Sequence, residues 1–318
     1  MERCAHPADR IRELFPARDP VTGHPFTVGE CHACGLAVTR PPLSPEALRA
    51  YYPPAYHRAA GARRFLAVVE WGQRRVYALR ARRVERLAGG KPGRVLDVGC
   101  GPGALLGAFA RRGWEVHGTE LDDRAAAAAR AAGVQVHVGA LEEAPWPAGH
   151  FDAIVLWHAL EHFADPLPPL EQAHRLLRPG GVLMAGVPNF GSPEARLAKG
   201  GWFHLDVPRH LTHFTPASLG AAVRAAGLEV VRASFLAVEY DTFSLVQSTL
   251  NVLGLRPNAL YDLLRTRSAR LAAGAGRSDR LVSLALAPPL ALVAFPASLV
   301  LAAAGLGSSL TLHAIKAR

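Results

Sequence analysis

The chain has 318 residues, half of them hydrophobic and fewer than a fifth charged, enough for one large domain with additions or for two domains. Its formal net charge is +10, but the excess is arginine scattered through helical stretches (Arg74, Arg75, Arg80, Arg82, Arg83, Arg86) rather than gathered into a block. No run interleaves aromatic with basic residues for base stacking, so nucleic acid is not an expected partner. Four cysteines, Cys4, Cys31, Cys34 and Cys100, are too few for a disulfide scaffold at this length. The opening residues lack the basic-then-apolar pattern of a secretory signal. A cytoplasmic protein with reduced thiols is expected.

Residues 1–60 are rich in proline, histidine and cysteine and show little periodicity. Within them CHACG (31–35) is a Cys-x-x-Cys knuckle, a spacing at which two thiolates bind zinc, usually with a second pair. Ser44 followed by Pro45 reads as the N-cap and first position of a short helix reaching about Tyr51 or Tyr52. Residues 62–88 place Phe65, Val68, Val69, Val76, Leu79 and Leu87 at roughly helical spacing. Lys91-Pro92-Gly93 then breaks the chain.

Strands and helices alternate from there. RVLDVGC (94–100) is a buried strand, GALLGAFARRG (103–113) a helix, EVHGTEL (115–121) a second strand. DDRAAAAARAAG (122–133) is a helix capped by Asp122 and ended by Gly133. VQVHVG (134–139) and FDAIVLW (151–157) are the third and fourth strands, PPLEQAHRLLRPGG (168–181) a helix and turn, VLMAGVP (182–188) the fifth strand. TPASLGAAVRAAG (215–227) is a helix with Thr215 as N-cap, and LEVVRASF (228–235) is the strand after it. This rhythm predicts an α/β fold, a doubly wound parallel sheet with helices on both faces and ligands at the carboxyl ends of its strands. Residues 237–280 read as mixed and helical. No charge occurs from Leu281 to Ile315, and SSLTLHAIKAR (308–318) alternates as a strand.

VLDVGCGPGALL places Gly99, Gly101 and Gly103 between a strand and a helix, where glycine lets the backbone turn sharply and approach a ligand. The helix N-terminus behind it favours an anionic group. Glu120 closes the second strand, about 20 residues on, where a carboxylate accepts ribose hydroxyls. Gly99, Gly101 and Ala104 also fit the dinucleotide fingerprint, which leaves an NAD(P)-dependent oxidoreductase as an alternative. Asp97 tilts the choice: a pyrophosphate disfavours a carboxylate there, and a cationic ligand welcomes it.

Taken in order, VLDVGCGPG, Glu120, FDAIVLWHALEHFADP and LLRPGGVLMAGVPN resemble the Rossmann-type (class I) S-adenosylmethionine-dependent methyltransferases. The resemblance covers about residues 90–235 and the last ten or so. It implies a seven-stranded, mostly parallel sheet whose last strand is antiparallel. It also implies that the loop Gly99, Cys100, Gly101 and Gly103 cradles the methionine part of S-adenosyl-L-methionine while Asp97 organises its ammonium. Glu120 would take the ribose, and Leu121, with Ala140 and Leu141, the adenine. Trp157 joins the cofactor-binding set. Many relatives carry an acidic residue where Ala140 stands, so the adenine amino contact is open, with Glu142 as a substitute.

The sulfonium is already an activated electrophile, so methyl transfer asks for an in-line nucleophile, exclusion of water and sometimes a base, not a loud motif. Glu161 and His162 follow the fourth strand, and Glu-His there recurs in relatives that methylate small molecules, including quinone precursors. GGWFHLDVPRHLTHF (200–214) gathers His204, Asp206, Arg209, His210 and His213 in one loop after the fifth strand, a loop of the kind that folds over a cofactor. It resembles the H-x-D-x-P-R-H-x-x-x-F segment of one methyltransferase subgroup. The catalytic candidates are His162, His204, Arg209 and His210. That subgroup often begins with a four-cysteine ribbon followed by CGL, a proline-rich run and a YYP motif. CGLAVTRPPLSPEALRAYYPPAY matches this layout. The resemblance implies a structural zinc on Cys4, Cys31 and Cys34, with the fourth ligand open among His6, His24 and His32.

Four regions are expected: a zinc-ribbon-like segment (1–60), the methyltransferase core with its leading helix (61–236), a helical insertion (237–307) and the final strand (308–318). Pro288, Pro289 and Pro296 cut the uncharged stretch into short helices. Residues 290–304 as helix reach only about 22 Å, short of a roughly 30 Å hydrocarbon core. A helical hairpin dipping into one leaflet is therefore expected, between strands that return the chain to the same side. The expected function is methyl transfer to a small-molecule or lipid-linked acceptor, with oxygen as the methylated atom, in the cytoplasm or at the inner face of its membrane. A non-catalytic binding module is the alternative from another class.

Overall fold

Two runs of buried aliphatics fix the centre of the molecule. The computed structural model describes residue 4 and residues 6–52, 67–265 and 276–318. In chain order its elements are β1 (Ile11–Arg18), β2 (Pro25–Cys31), β3 (Ala37–Arg40), α1 (Pro45–Arg49), α2 (Ala67–Leu87), β4 (Arg94–Val98), α3 (Leu106–Ala110), β5 (Glu115–Glu120), α4 (Asp123–Ala131), β6 (Gln135–Val138) and β7 (Phe151–Trp157). They continue with α5 (Leu167–Leu176), β8 (Leu177–Pro188), α6 (Pro193–Ala198), β9 (Thr212–His213), α7 (Pro216–Ala225), β10 (Leu228–Ser234), α8 (Asp241–Val252), α9 (Ala259–Leu264), α10 (Arg277–Ala303) and β11 (Ser309–Lys316).

Seven strands form one sheet in the order β10-β11-β8-β7-β4-β5-β6. The strands from β4 to β8 pair in parallel, and β11 runs antiparallel to both of its neighbours. The central strands are apolar on both faces, as a helix-covered parallel sheet requires. Leu96, Ile154, Leu156, Leu183 and Ala185 face one side, against α5 and α7. Val95, Ala153, Val155, Val182 and Met184 face the other, against α2, α3 and α4. The period of two along each strand sorts these residues into the two cores. Ser44, Asp122 and Thr215 accept the backbone N–H groups of Ala47, Ala125 and Ser218 and so cap α1, α4 and α7 as their sequences predict.

The expected doubly wound, seven-stranded sheet with a last antiparallel strand is therefore the observed fold. Boundaries differ in two places. The first core helix is shorter than 103–113, because Gly101 and Gly103 hold positive φ and the chain does not enter α3 until Leu106. β8 begins at Leu177, in what the sequence suggests is a turn. The start of the 62–88 helix, at 62–66, lies outside the described residues.

The N-terminal segment is a three-stranded antiparallel meander, and a fourth strand joins it from far along the chain: β9 pairs with β3, with Ala37 opposite His213 and Val38 opposite Thr212. Thr39 reinforces the join, its hydroxyl donating to the His210 carbonyl at 2.6 Å. A charged link runs beside it. Arg209 is 0% exposed, and its Nη2 donates to Asp19 and Asp206 at 2.7 Å each while Nη1 donates to the Tyr51 carbonyl at 2.9 Å. The 200–214 loop is thus stitched to the N-terminal meander on two sides.

Between β10 and β11 the chain builds α8, α9 and α10, which pack on one another. Glu194 of α6 anchors α8 from beneath, accepting from Ser244 at 2.6 Å and Ser248 at 2.7 Å, and from Ser308 at the entry to β11. The expected hairpin is absent: α10 is a single helix of 27 residues that runs through Pro288, Pro289 and Pro296, about 40 Å long. The reason lies in its two faces. Leu286, Ala287, Leu290, Ala291 and Ala294 form a stripe packed with Val246, Leu250 and Leu260, and this stripe straddles Pro288 and Pro289. All three prolines are exposed, so their rings point away from the packed side while each missing N–H removes a single bond. The outer face is also apolar, with Leu292 78%, Val293 69% and Val300 68% exposed. By length and composition α10 could cross a membrane, and 11% of its most apolar window is buried.

Removing Arg209 would leave the buried Asp19 and the partly exposed Asp206 without their counter-charge. Arg209→Ala should cost about 3–5 kcal/mol of unfolding free energy, whereas Arg12→Ala, which breaks the exposed Arg12–Glu30 pair, should cost under about 1 kcal/mol. Urea unfolding followed by tryptophan fluorescence measures both, and equal losses would refute the assigned role of Arg209.

Candidate active site

The carboxyl ends of β4, β5, β6 and β7 open into a cavity of about 1510 Å³. Every residue expected to bind cofactor or acceptor lines it, except Gly103. Gly103 has φ +77° and faces inward: a Cβ there would sit 3.0 Å from Val134 Cγ2 and 3.4 Å from Ala129 Cβ. Its glycine serves close packing of the loop on α4. Gly101 has φ +52° and nothing within 4 Å of a built Cβ, so its backbone is the approachable one. The Cys100 thiol is pressed toward Gly118, where a Cβ would lie 2.5 Å from it, and burial raises its pKa.

Asp97 ends β4 at 4% exposure. Burial, and then the nearby Glu120 charge, push its carboxyl well above the usual carboxylate range. A ligand cation beside it would reverse both effects. Glu120 stands at the end of β5 with its carboxylate already in use: Oε2 accepts from Gly101 N at 2.8 Å, and Oε1 from Leu121 N at 2.8 Å and Asp122 N at 3.0 Å. This clamps the glycine loop against β5, and the remaining lone pairs still leave room for hydroxyl donors. Leu121 is 77% exposed at the rim. Leu141 is 2% exposed and rooted in the core. Glu142 is exposed and is absent from the cavity lining. Glu143 instead accepts from Ala140 N at 3.2 Å. Trp157 closes β7 with the Arg80 guanidinium 3.6 Å above its ring, and Arg80 pairs with Glu239.

Across the cavity from the glycine loop the wall is aromatic and imidazole-rich. It draws on α1 and the meander (Tyr52), on the 200–214 loop (Phe203, His204, His210) and on the insertion (Tyr240, Phe243, Tyr261). The His162 Nδ1 lies 3.0 Å from the Arg209 carbonyl oxygen and 3.2 Å from the Tyr52 hydroxyl. Burial lowers the pKa of His204 to about 3, helped by the nearby His158 and His210. Burial, followed by His162, lowers that of His210 to about 4. Both rings are therefore neutral at neutral pH, and His210 Nδ1 donates to the His204 carbonyl at 2.9 Å. His213 faces away, 3.0 Å from the Thr39 hydroxyl. Arg209 reaches the cavity edge, but its guanidinium is engaged by Asp19, Asp206 and Tyr51. It positions the loop on which His204 and His210 sit.

Sequence reasoning did not single out His158, Tyr52, Tyr240 or Asp19. His158 directly follows β7 and its Nδ1 lies 3.0 Å from Glu161 Oε1. Its placement at a strand's carboxyl end was the available signal. Asp19 reads locally only as the head of a turn, accepting from Val21 N and Thr22 N, and its link to the site comes from Arg209, 190 residues away.

A separate cluster lies at the meander's cysteine end. Cys4, His6, Cys31 and Cys34 bring one ligand atom each to within 4.8 Å of one another. Cys4 Sγ and Cys31 Sγ are 3.6 Å apart, and Cys34 Sγ and His6 Nδ1 are 3.5 Å apart. Tetrahedral zinc with Zn–S bonds of about 2.3 Å sets its sulfurs about 3.8 Å apart, so this donor set fits that ion. Burial raises the Cys31 pKa, but the amides of Ala33 and Cys34 with the neighbouring thiols hold it below its ordinary value, while burial pushes Cys34 up to about 12. His24 instead meets the Tyr51 hydroxyl at 3.0 Å.

The description of the family model that matches residues 71–233 is "Methyltransferase domain". The ubiquinone biosynthesis O-methyltransferase of Pseudomonas aeruginosa is 35% identical over 166 residues, 48% of this chain and 71% of that protein. The protein of the same name from Aromatoleum aromaticum is 33% identical over 181 residues, 53% of this chain and 76% of that protein. Among solved structures the cyclase SpnF is alike in fold, with a TM-score of 0.52 at 19% identity over 87% of this chain and 98% of that one. A glycine loop clamped by Glu120, a buried Asp97 suited to a cation and these relationships converge: the chain belongs to the methyltransferase-domain family and is an S-adenosylmethionine-dependent methyltransferase.

Proposed function

We propose that the enzyme methylates an oxygen of an apolar aromatic acceptor presented at a membrane surface. The observation that carries this reading is the continuity of the cavity: the glycine loop opens directly onto a wall of Phe203, Tyr240, Phe243 and Tyr261. Two relatives named for O-methylation in ubiquinone biosynthesis support an oxygen acceptor on an aromatic precursor. The cofactor, when bound, supplies an electrophilic methyl group. Around it, Gly99 and Gly101 hold the methionine portion, Asp97 pairs with its ammonium, Glu120 takes the ribose, and Leu121, Ala140 and Leu141 enclose the adenine beside Trp157. His162, His204 and His210 line the acceptor side, and Arg209 fixes their loop.

The outer face of α10 supports a peripheral contact with the bilayer, on the cytoplasmic side. Leu281, Leu284, Leu292, Phe295 and Leu299 lie on that face, each at least 40% exposed, in a stretch without charge. An apolar surface of this kind seeks the acyl boundary of a membrane. The inner face of the same helix packs on α8 and α9, which wall the acceptor side of the cavity. The Cys4, His6, Cys31 and Cys34 cluster takes a structural zinc, with His6 as fourth ligand.

Calorimetry should show binding of S-adenosylmethionine, weakened at least about tenfold (1.4 kcal/mol) by Asp97→Asn, and labelled methyl should pass to the apolar fraction of a cell extract. No cofactor binding, or no labelled product, refutes the reading. Leu292→Asp with Phe295→Asp should leave the urea midpoint unchanged and abolish co-sedimentation with phosphatidylglycerol vesicles. Wild-type protein that stays in the supernatant refutes the membrane contact. Metal analysis should give one zinc per chain, lost in His6→Ala, and chelation should lower Tm. A zinc content unaffected by His6→Ala removes His6 from the ligand set.

A further inference from the structure

We propose that His158 is the general base that takes the proton from the acceptor oxygen. The proposal rests on the O-methylation reading above and adds the residue that moves the proton. His158 follows β7 at the carboxyl end of the sheet and lines the same cavity as Asp97 and Gly99. Its backbone holds φ +51°, a left-handed conformation uncommon for a residue with a side chain. It is kept there by its N–H donating to the Gly186 carbonyl at 2.9 Å. Strain of this kind persists where the surroundings fix it, and it clusters at active sites.

The side chain is oriented as a base. Nδ1 lies 3.0 Å from Glu161 Oε1, and Glu161 is 1% exposed. Burial alone would raise the Glu161 pKa, but the His158 hydrogen bond and the neighbouring imidazoles bring it down to about 2, so the carboxylate only accepts. Nδ1 of the neutral ring must then carry the hydrogen, which leaves the lone pair on Nε2. Nε2 is buried and has no hydrogen-bond partner among the described residues. The ring is packed edge-on by Trp157 and by Tyr240, each with centroids at 4.9 Å, and stacks on His204 at 6.3 Å. The titratable groups facing it are Glu161, His162, His204, His210 and Tyr240, with Asp97 and Glu120 across the cavity. His162 differs, because its Nδ1 is shared between the Arg209 carbonyl and the Tyr52 hydroxyl, with no carboxylate hydrogen-bonded to it among the described residues.

In the step itself the acceptor O–H bond breaks and its proton passes to His158 Nε2. The oxygen electron pair forms the bond to the methyl carbon, and the carbon–sulfur bond breaks with its pair remaining on sulfur. Water then removes the proton from the imidazolium. The charges balance: a sulfonium and a neutral hydroxyl become a thioether, a methyl ether and a proton.

The test compares His158→Gln with the wild-type enzyme on catechol, which is protonated at neutral pH, and on 4-nitrocatechol, which is largely ionised. It is run also on whichever extract fraction the wild type labels. A general base contributes about 10²–10⁴-fold. We expect His158→Gln to bind S-adenosylmethionine as the wild type does, to lose at least about 100-fold in kcat/KM on catechol or the labelled fraction, and to lose under about fivefold on 4-nitrocatechol. Its kcat/KM should also lose the acid limb of the pH profile. Glu161→Gln should lower kcat/KM on catechol and spare 4-nitrocatechol in the same way, because the ring loses the carboxylate that holds its Nδ1 hydrogen. Retained activity with the acid limb intact, or equal losses on both catechols with cofactor binding preserved, overturns the proposal. If neither catechol is methylated, the labelled fraction alone decides by the same loss of rate and acid limb. Absence of cofactor binding or of any product in the wild type instead refutes the methyl-transfer reading.

Discussion

Arg209 lies out of solvent between Asp19, from the turn that joins β1 and β2, and Asp206, from the loop after β8. A buried guanidinium is tolerable only when its donors are met, and here two carboxylates and the Tyr51 carbonyl meet them. The geometry of this one group therefore sets where the N-terminal meander sits, where α1 ends and how the 200–214 loop folds. Those three segments supply Tyr52, His204 and His210 to the acceptor side of the cavity. The bidentate fork of arginine suits the task, since a lysine would satisfy one carboxylate at a time. A segment that reads as an appended metal ribbon is thus a wall of the active site.

The cavity has two electrostatic halves. Asp97 and Glu120 make the cofactor half acidic, whereas the buried imidazoles of His204 and His210 are neutral because desolvation disfavours their charged forms. The first half suits a cationic ligand, and the second presents neutral imidazole and aromatic surface. Glu161 sits at the boundary. Its carboxylate is sequestered from solvent, hydrogen-bonds to the ring of His158 and lies 3.9 Å from His210 Nε2, so it meets the second half through imidazoles.

Much of this was legible in the sequence, for identifiable reasons. The strands β4 to β8 announce themselves because two-sided burial demands unbroken aliphatics, and the caps Ser44, Asp122 and Thr215 act through neighbours three residues away. Gly99, Gly101, Asp97 and Glu120 were readable because the strand–loop–helix unit that places them is local. What escaped depends on long-range pairing. β9 has two residues and exists only because β3 lies beside it. Asp19 gains its role from an arginine 190 residues away. The chemical setting of His158 depends on a left-handed backbone that no neighbouring glycine announces. For α10, proline seemed to dictate interruption, but the orientation of the rings toward the outer face allowed the packed stripe to keep one helix intact.

The position of β11 bears on how the molecule is made. The strand that follows every other element in the chain lies inside the sheet, between β8 and β10. During synthesis, β10 has no partner until β11 has emerged, because β11 is the strand to which it hydrogen-bonds. The insertion hangs between these two strands, and α8 is held on the core by Glu194 of α6 through Ser244 and Ser248, with Ser308 at the entry to β11 completing the anchor. Non-local strand pairing of this kind is slow, and before it happens α10, whose inner stripe needs only α8 and α9, already presents its outer apolar face. A chain in that state carries exposed apolar surface of the kind that makes folding intermediates prone to associate, and it is the same surface that the folded enzyme keeps exposed.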